Sequence, residues 1–599
     1  ADSELVAYVV GDVISDELRG WLLHRLPGHM VPTWFIPIDE IPLTVNGKLD
    51  RHALPDPTDA RLERRNAERE GPRDELEQRV WDIWTSVLQV ENIGIHDSFY
   101  DLGGHSLKAT QIVSRVLLTM HVKLSLREFL QTPTVAGLAD RIRTDSGRDT
   151  LWPIQPAARQ EAYDLSHAQR RLWLIDRLGD GASYNIPQAY RIRGDFDATI
   201  LSETLSQIVE RHESLRTVFI EIDGEPRQRI LDALPLDVQQ IDLTTQADPV
   251  GAAREIVEHE AILPFDLSKP PLMRVKLVKV SDKDSVFIIN MHHIIGDGWS
   301  MNILFREMME LFDALFSGVP STLVPLPIQY KDFSEWQNGQ SFDTEERYWL
   351  KQLAGTPTGV LLPFDFPQTQ DRDFKGALET RQIGGDSLAA LRRLASSKQV
   401  TLADLLLAIF KLFLFRLTKQ EDLCVGVSIA NRNHPDLEHL IGFFVNILPI
   451  RTTMSSDMDF NTLLDRVSQV AREAYDHQSY PFDRMVEMLN PDRIANRQPL
   501  VNVLYAFQNY SDVRLDIATQ RPSAAANETG LHIEPFTFSF NTSKVDLTLF
   551  AFDDSDQIHL HMEYDTGLFR SETIGKYLET YIRFASMIGD VTPSARGNS

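Results

Sequence analysis

Apolar residues recur at helical spacing through one short block and alternate with turn signals through a much longer one, and the two patterns divide the chain. Between residues 73 and 143, Leu76, Val80, Ile83, Trp84 and Val87 return every three or four positions, the stripe a helix buries on one side. A second helix is expected to begin at Ser106 and to carry Leu107, Thr110, Ile112, Val113 and Val116. A third falls around 135–142, and short pieces near Phe99, Leu102, Leu126 and Phe129 complete a small helical core.

From residue 156 the pattern is mixed. The periodicity predicts helices at 197–211, 301–316, 386–396, 401–418 and 460–476. Apolar and β-branched runs predict strands at 186–192, 273–280, 285–291, 423–429, 500–507, 532–539, 544–552 and 557–564. That many elements exceed one core, so two α/β lobes dividing between 325 and 345 are expected. Residues 62–72 are charged and end in Gly71-Pro72, while 144–155 run from Thr144-Asp145-Ser146-Gly147 into Pro153; both read as linkers. The expected organisation is thus a partial domain at 1–61, a linker at 62–72, a helical domain at 73–143 and a linker at 144–155. Lobes at 156–335 and 336–590 and a tail at 591–599 follow.

Composition narrows the function classes. The 599 residues carry 60 basic against 86 acidic side chains, a net charge of −26 that repels nucleic acid and anionic membranes. A single cysteine, Cys424, rules out an internal disulfide framework and a Cys-rich zinc site; its apolar neighbours Leu423 and Val425 suggest a buried strand. No apolar run is long enough to cross a bilayer, and Ala1-Asp2-Ser3-Glu4 does not open a secretion signal, so a cytoplasmic location is expected.

Two stretches carry the chemistry. Asp101-Leu102-Gly103-Gly104-His105-Ser106-Leu107 is a glycine turn followed at once by a helix. Free backbone N–H groups and the dipole at that helix start suit a phosphate ester on Ser106, although an ordinary N-cap serine has the same spacing. His292-His293-Ile294-Ile295-Gly296-Asp297-Gly298 follows the apolar strand Val286–Met291. Neighbouring side chains on an extended chain point opposite ways, so His292 and His293 are expected to have different roles. Gly296 and Gly298 let a turn bring Asp297 beneath the strand end. Adjacent histidines converge poorly on a metal, and no Gly-X-Ser-X-Gly elbow exists for a serine hydrolase.

The first stretch resembles the carrier-domain signature of nonribosomal peptide synthetases, and Ile93–Tyr100 resembles its approach loop. The second resembles the central motif of their condensation domains. Other motifs of that family occur in order. They are Leu165-Ser166-His167-Ala168-Gln169-Arg170-Arg171-Leu172-Trp173, Arg211-His212-Glu213-Ser214-Leu215-Arg216-Thr217-Val218-Phe219, Tyr330-Lys331-Asp332-Phe333 with Trp336, and Ile441-Gly442-Phe443-Phe444-Val445-Asn446-Ile447-Leu448. His477–Asp483 and Asn496-Arg497-Gln498-Pro499-Leu500 close the series; His167, Ser479 and Gln498 depart from the usual residues. Before the first linker, Leu26–Pro32 and Asp39–Arg51 resemble the end of an adenylation domain, whose lysine would be Lys48.

The resemblance implies an α/β adenylation remnant without activating ability and a four-helix carrier bundle. A condensation domain of two chloramphenicol-acetyltransferase-like lobes in a V would follow. It implies 4′-phosphopantetheine on Ser106, with His293 and Gly298 as the catalytic residues. His292, Asp297 and Arg432 (in Asn431-Arg432-Asn433-His434) would support the site. The implied reaction is peptide-bond formation in antibiotic or siderophore biosynthesis. An acceptor amine would attack an L-configured donor thioester held upstream at Ser106. A downstream acceptor carrier, upstream condensation and adenylation domains and a phosphopantetheinyl transferase are the implied partners, with no nucleic acid, membrane or metal. The alternatives are a non-catalytic recruitment module and an epimerase of a carrier-bound aminoacyl group.

Overall fold

The computed structural model describes residues 6–10, 34–38, 70–88, 90, 93–99, 102, 106–120, 122, 124, 126–144, 154–177, 182–194, 196–368, 374–489, 500–509, 531–539, 542–554 and 556–590. Lys48, Gly103–His105 and residues 496–499 of the last motif lie outside the described residues. Contacts divide the chain into one unit of 1–102 with 132–144 and a second of 103–131 with 145–599.

The first elements in chain order are β1 (Val6–Val10), β2 (Trp34–Ile38), α1 (Glu75–Leu88), α2 (Ser106–Met120), α3 (Leu126–Gln131) and α4 (Val135–Thr144). In the first unit β1 and β2 pair in parallel, and α1 packs on α4. α1 buries Val80, Ile83, Trp84 and Val87 of the stripe its periodicity singled out, while Leu76 in its first turn is half-buried, and Trp84 meets Phe99 edge-on. Glu77 is buried on the same face, its carboxylate held down to about 2 by Arg73, with Arg143 adding to the effect. In the second unit α2 packs on α3.

The next part of the second unit contains β3 (Tyr163–Asp164), α5 (His167–Arg177), β4 (Asn185–Arg193), α6 (Ala198–Arg211), β5 (Thr217–Ile222), β6 (Glu225–Ile230), β7 (Val238–Asp242), α7 (Pro249–Ile262), β8 (Met273–Ser281), β9 (Asp284–His292), α8 (Gly298–Ser317), α9 (Tyr330–Asn338) and α10 (Asp343–Leu353). A sheet in which β4, β9, β8 and β7 follow in that order forms its centre, and β3-β6-β5 make a second sheet. The central strand β9 is apolar on both sides because both are covered. Phe287, Ile289 and Met291 face a core with Leu205, Ile208 and Phe305 from α6 and α8. Val286 and Ile288 face Ala253 and Val257 of α7.

The remainder contains β10 (Gly376–Gly384), α11 (Gly385–Ser397), α12 (Leu402–Thr418), β11 (Asp422–Ile429), β12 (Asn446–Thr453), α13 (Phe460–Asp476), α14 (Phe482–Leu489), β13 (Val503–Asn509), β14 (His532–Pro535), β15 (Leu547–Asp553), β16 (Gln557–Asp565) and α15 (Ser571–Asp590). Its six-stranded sheet runs β10-β16-β15-β13-β11-β12. α12, capped by Thr401, is apolar nearly all round because α11, α13, α15 and the sheet enclose it. Cys424 lies buried in β11. One strand does not follow the sequential division into lobes: β14 joins the first sheet, antiparallel to β4, with His532 opposite Arg193 and Pro535 opposite Tyr190. Periodicity placed a strand at 532–539 but carried no information on its partner, since pairing depends on which edge remains open.

Candidate active site

The strand β9 stops at His292, the partner of Asn185 on β4. There the chain enters a 3₁₀ turn, His293–Ile295, before α8 begins. His292 caps this turn: its Nδ1 accepts a hydrogen bond from the Ile294 N–H at 3.1 Å. The ring is thereby held inside, edge-on to Phe265, and burial pushes its pKa down to about 3. His293 is half-buried. Its backbone N–H donates to Tyr184 O at 2.8 Å. The ring sits edge-on between Tyr184 and Phe443, with centroids at 6.3 and 5.4 Å. The two histidines do diverge, but by a different cause from strand alternation: extended geometry ends at His292, and the 3₁₀ turn sets the direction of His293.

Geometry fixes the tautomer of His293. Its Nδ1 lies 3.1 Å from Gly296 O. A carbonyl only accepts, so Nδ1 carries the proton and Nε2 keeps a lone pair. Burial, reinforced by the charge of Lys544 and by His292, holds the pKa well below the usual imidazole value. The group is a neutral acceptor at neutral pH.

Asp297 is fully buried, at 0% exposure, and caps α8. Its Oδ1 accepts from Ser300 N at 2.8 Å, from Ser300 Oγ at 2.7 Å and from an Arg432 terminal nitrogen at 3.2 Å. Its Oδ2 accepts from Phe444 N at 3.1 Å. Arg432, equally buried, donates through its other terminal nitrogen to Leu437 O and Leu440 O and lies 4.1 Å from the Phe444 ring. Burial lowers the arginine pKa, and Asp297 opposes that effect. Each Asp297 oxygen thus has donors and both terminal nitrogens of Arg432 have acceptors, while the buried Arg432 Nε has none among the described residues; the pairing offsets most of the cost of burying the two charges. The pair ties the two-histidine loop to the 431–444 segment.

The other motifs brace the same place. Tyr330 donates to Phe443 O at 2.5 Å and meets Ser166 Oγ at 2.8 Å. Its ring lies against Gly442, where an added β-carbon would stand 1.9 Å from a ring atom, so only glycine fits. Gln169 donates to Ile294 O at 3.3 Å. Asn446 bonds to Tyr480 O at 2.8 Å and to Phe482 N at 3.0 Å, joining two motifs. His212 and Arg211 hold Glu307 of α8 at 2.7 and 3.0 Å. Gly298 is exposed, and a β-carbon there would meet nothing within 4 Å, so it supplies space and no chemical group. His167 is half-buried beside Phe342, its pKa pushed down to about 4 by burial. Among the described residues no cluster of His, Cys, Asp or Glu is arranged to hold a metal, and no helix is long and apolar enough to cross a membrane.

The structure adds Tyr184 and Lys544, which sequence reasoning missed. The Lys544 ammonium lies 5.3 Å from the Tyr184 ring centroid, and its charge reaches both histidines. Neither residue lies within a motif, so no local signal marked them. Ser106 is the first residue of α2, a helix of 15 residues whose opening N–H groups have no partner within the helix and suit a phosphate.

Residues 159–594 match the family described as condensation domain, and 78–142 match the phosphopantetheine attachment site. The chain is 38% identical over 581 residues to bacitracin synthase 3 of Bacillus licheniformis, covering 95% of this chain and 9% of that protein. It is 36% identical over 593 residues to tyrocidine synthase 3 of Brevibacillus parabrevis, covering 98% and 9%. The chain thus spans about a tenth of the length of these curated relatives. The X-domain from teicoplanin biosynthesis has the same fold, with a TM-score of 0.66 at 24% identity over 74% of this chain and 98% of that one. The chain belongs to the condensation-domain family of nonribosomal peptide synthetases, with a phosphopantetheine attachment domain ahead of the condensation domain.

Proposed function

We propose that the chain forms a peptide bond between two carrier-held substrates, the acceptor amine attacking a donor thioester carried on Ser106. The observation that carries this reading is the neutral His293 imidazole, fixed by Gly296 O so that Nε2 presents a lone pair beside Tyr184 and Phe443. An acceptor of this kind orients an attacking amine through its N–H and draws off proton density as the new bond forms. Its depressed pKa makes positioning, more than storage of a proton, its main contribution. Phosphopantetheine supplies an activated thioester when attached, so the protein need not create a leaving group. His292, Asp297 and Arg432 keep the loop in place, and Gly298 leaves room for substrate.

On this reading the domains follow the limits 73–143, 156–335 and 336–590. Residues 1–61, with Lys48, are the end of an adenylation domain. A downstream acceptor carrier, upstream condensation and adenylation domains and a phosphopantetheinyl transferase are the partners. Intact-mass spectrometry of the loaded donor with aminoacylated acceptor carriers tests the reading. A dipeptidyl mass on the acceptor, absent in Ser106→Ala, is expected. Donor carriers that exchange only their α-hydrogen would indicate epimerisation, and unreacted carriers that retain a bound enzyme would indicate recruitment.

A further inference from the structure

The second unit places α2 against the segment that follows Arg432. Ser114 donates to Asn433 O at 2.9 Å, and Arg115 donates to Glu438 at 3.0 Å. Close by, α3 packs on α13. The Glu438 carboxylate is only 9% exposed, so it is not an ordinary surface acid. The other end of the same residue faces the first turn of α8: Glu438 O accepts from Trp299 Nε1 at 3.0 Å. Trp299 stands between Gly298 and Ser300, and Ser300 is bonded to Asp297.

The segment between these contacts is stiff. His434 Nδ1 accepts from Asp436 N at 3.3 Å, and Arg432 gathers Leu437 O and Leu440 O on one nitrogen. Braced in this way, the segment shifts as one piece, so a displacement at Asn433 O, where Ser114 holds the backbone, carries the Glu438 carbonyl with it.

We propose that Glu438 couples the seating of α2 to the two-histidine loop: its carboxylate reads the helix opening at Ser106, and its carbonyl holds Trp299. The partner this surface fits is a helix presenting a hydroxyl and a guanidinium at successive positions, as Ser114 and Arg115 do. When α2 leaves, the Glu438 carboxylate loses its cation and Asn433 O loses its donor, so nothing on that side holds the braced segment. The Trp299 contact loosens with it. Linkage makes the effect reciprocal, so a loop in its working position favours the seated helix. The inference rests on the reading that α2 carries the thioester arm, and it adds that the site senses the seated carrier helix.

The test uses the full chain without phosphopantetheine, labelled with ¹⁵N-tryptophan. The Trp299 indole signal is assigned through Trp299→Phe. Arg115→Glu is expected to move that signal and to speed its exchange with solvent about tenfold or more, as for a local opening. The double variant Arg115→Glu with Glu438→Arg is expected to restore the signal, which a merely structural contact on either side would not do. Should Arg115→Glu fold poorly, Arg115→Gln gives the same direction with a smaller shift. An unchanged Trp299 signal in both single variants, or no recovery in the double variant, overturns the coupling. The readout needs neither loading nor product, so a chain that couples in this way yet makes no peptide would overturn the proposed function and leave this inference standing.

Discussion

Helix α8 buries two carboxylates, and they serve different ends. Asp297 at its start pairs with Arg432, which lies more than a hundred residues away in the other half of the condensation domain. Glu307, further along α8, pairs with Arg211 and His212 at the end of α6, inside the same half. Burial works against Glu307, yet His212 and Arg211 outweigh it and hold the carboxyl below its usual range. Burial also lowers His212, which acts mainly as a hydrogen-bond donor. Both clusters pair a buried carboxylate with an arginine and further hydrogen-bond donors. Only the first touches the loop with His293, so only the first links stability to the proposed peptide formation.

The largest effect is expected at Arg432. Arg432→Ala should cost about 3 kcal/mol, because it strands a fully buried carboxylate, and should slow peptide formation in the molecules that stay folded. Wild-type urea melts in that variant would remove the pair from the account. His293→Ala should lower single-turnover peptide formation by about 10²-fold, near 2.7 kcal/mol of barrier, with an unchanged melting temperature. If His292→Ala were instead stable and inactive while His293→Ala worked fully, the facing of the two rings would be reversed.

Glu307→Gln should cost about 1–2 kcal/mol while leaving turnover per folded molecule intact, the opposite signature to Arg432→Ala. A fall in turnover without a fall in stability would merge the two clusters into one. Asp297→Asn should be milder than Arg432→Ala, since an amide oxygen keeps the cap on Ser300.

The smallest effect expected is with pH. His292 and His167 have folded pKa values of about 3 and 4, and His293 lies well below the ordinary value near 6.5. Below pH 6.5 the unfolded chain binds more protons at these groups, so their stability contribution is present above 6.5 and is lost as pH falls toward 4 and 3. Asp404 and Asp483, pushed up to about 6 by burial, have the opposite sign: their contribution is present below their unfolded values near 3.8 and is lost as pH rises through 6. Asp483→Asn should therefore steepen the acid loss in urea melts taken from pH 7 to 5. The peptide-forming rate should show no inflection near 6.5 from His293.

Local chemistry was legible where neighbours in sequence are neighbours in space. The α1 stripe of Val80, Ile83, Trp84 and Val87 is buried as its spacing required. The strand ending at His292 and the helix following Asp297 also sit where the pattern put them, since strand, turn and cap all lie within a dozen residues. Arg432 was within reach only through the family resemblance; an arginine in Asn431-Arg432-Asn433 has no spacing that separates it from a solvated one. Short elements such as β5, β6 and β12, whose apolar content is weak or shared with motifs, were not singled out.

By itself, then, the sequence determined the helical block with Ser106 at a helix start, the mixed α/β remainder and the separation of His292 from His293. Each depends on periodicity or on bonds between close neighbours. The fold's long-range packing decided that the His293 ring, turned by a local 3₁₀ turn, would lie between Tyr184 and Phe443. It also decided that β14 would close the edge of the first sheet, that Tyr330 would press on Gly442 and that Lys544 would bring a positive charge to the histidines. These are choices among distant partners, fixed by which surfaces remain to be covered once the local elements have formed.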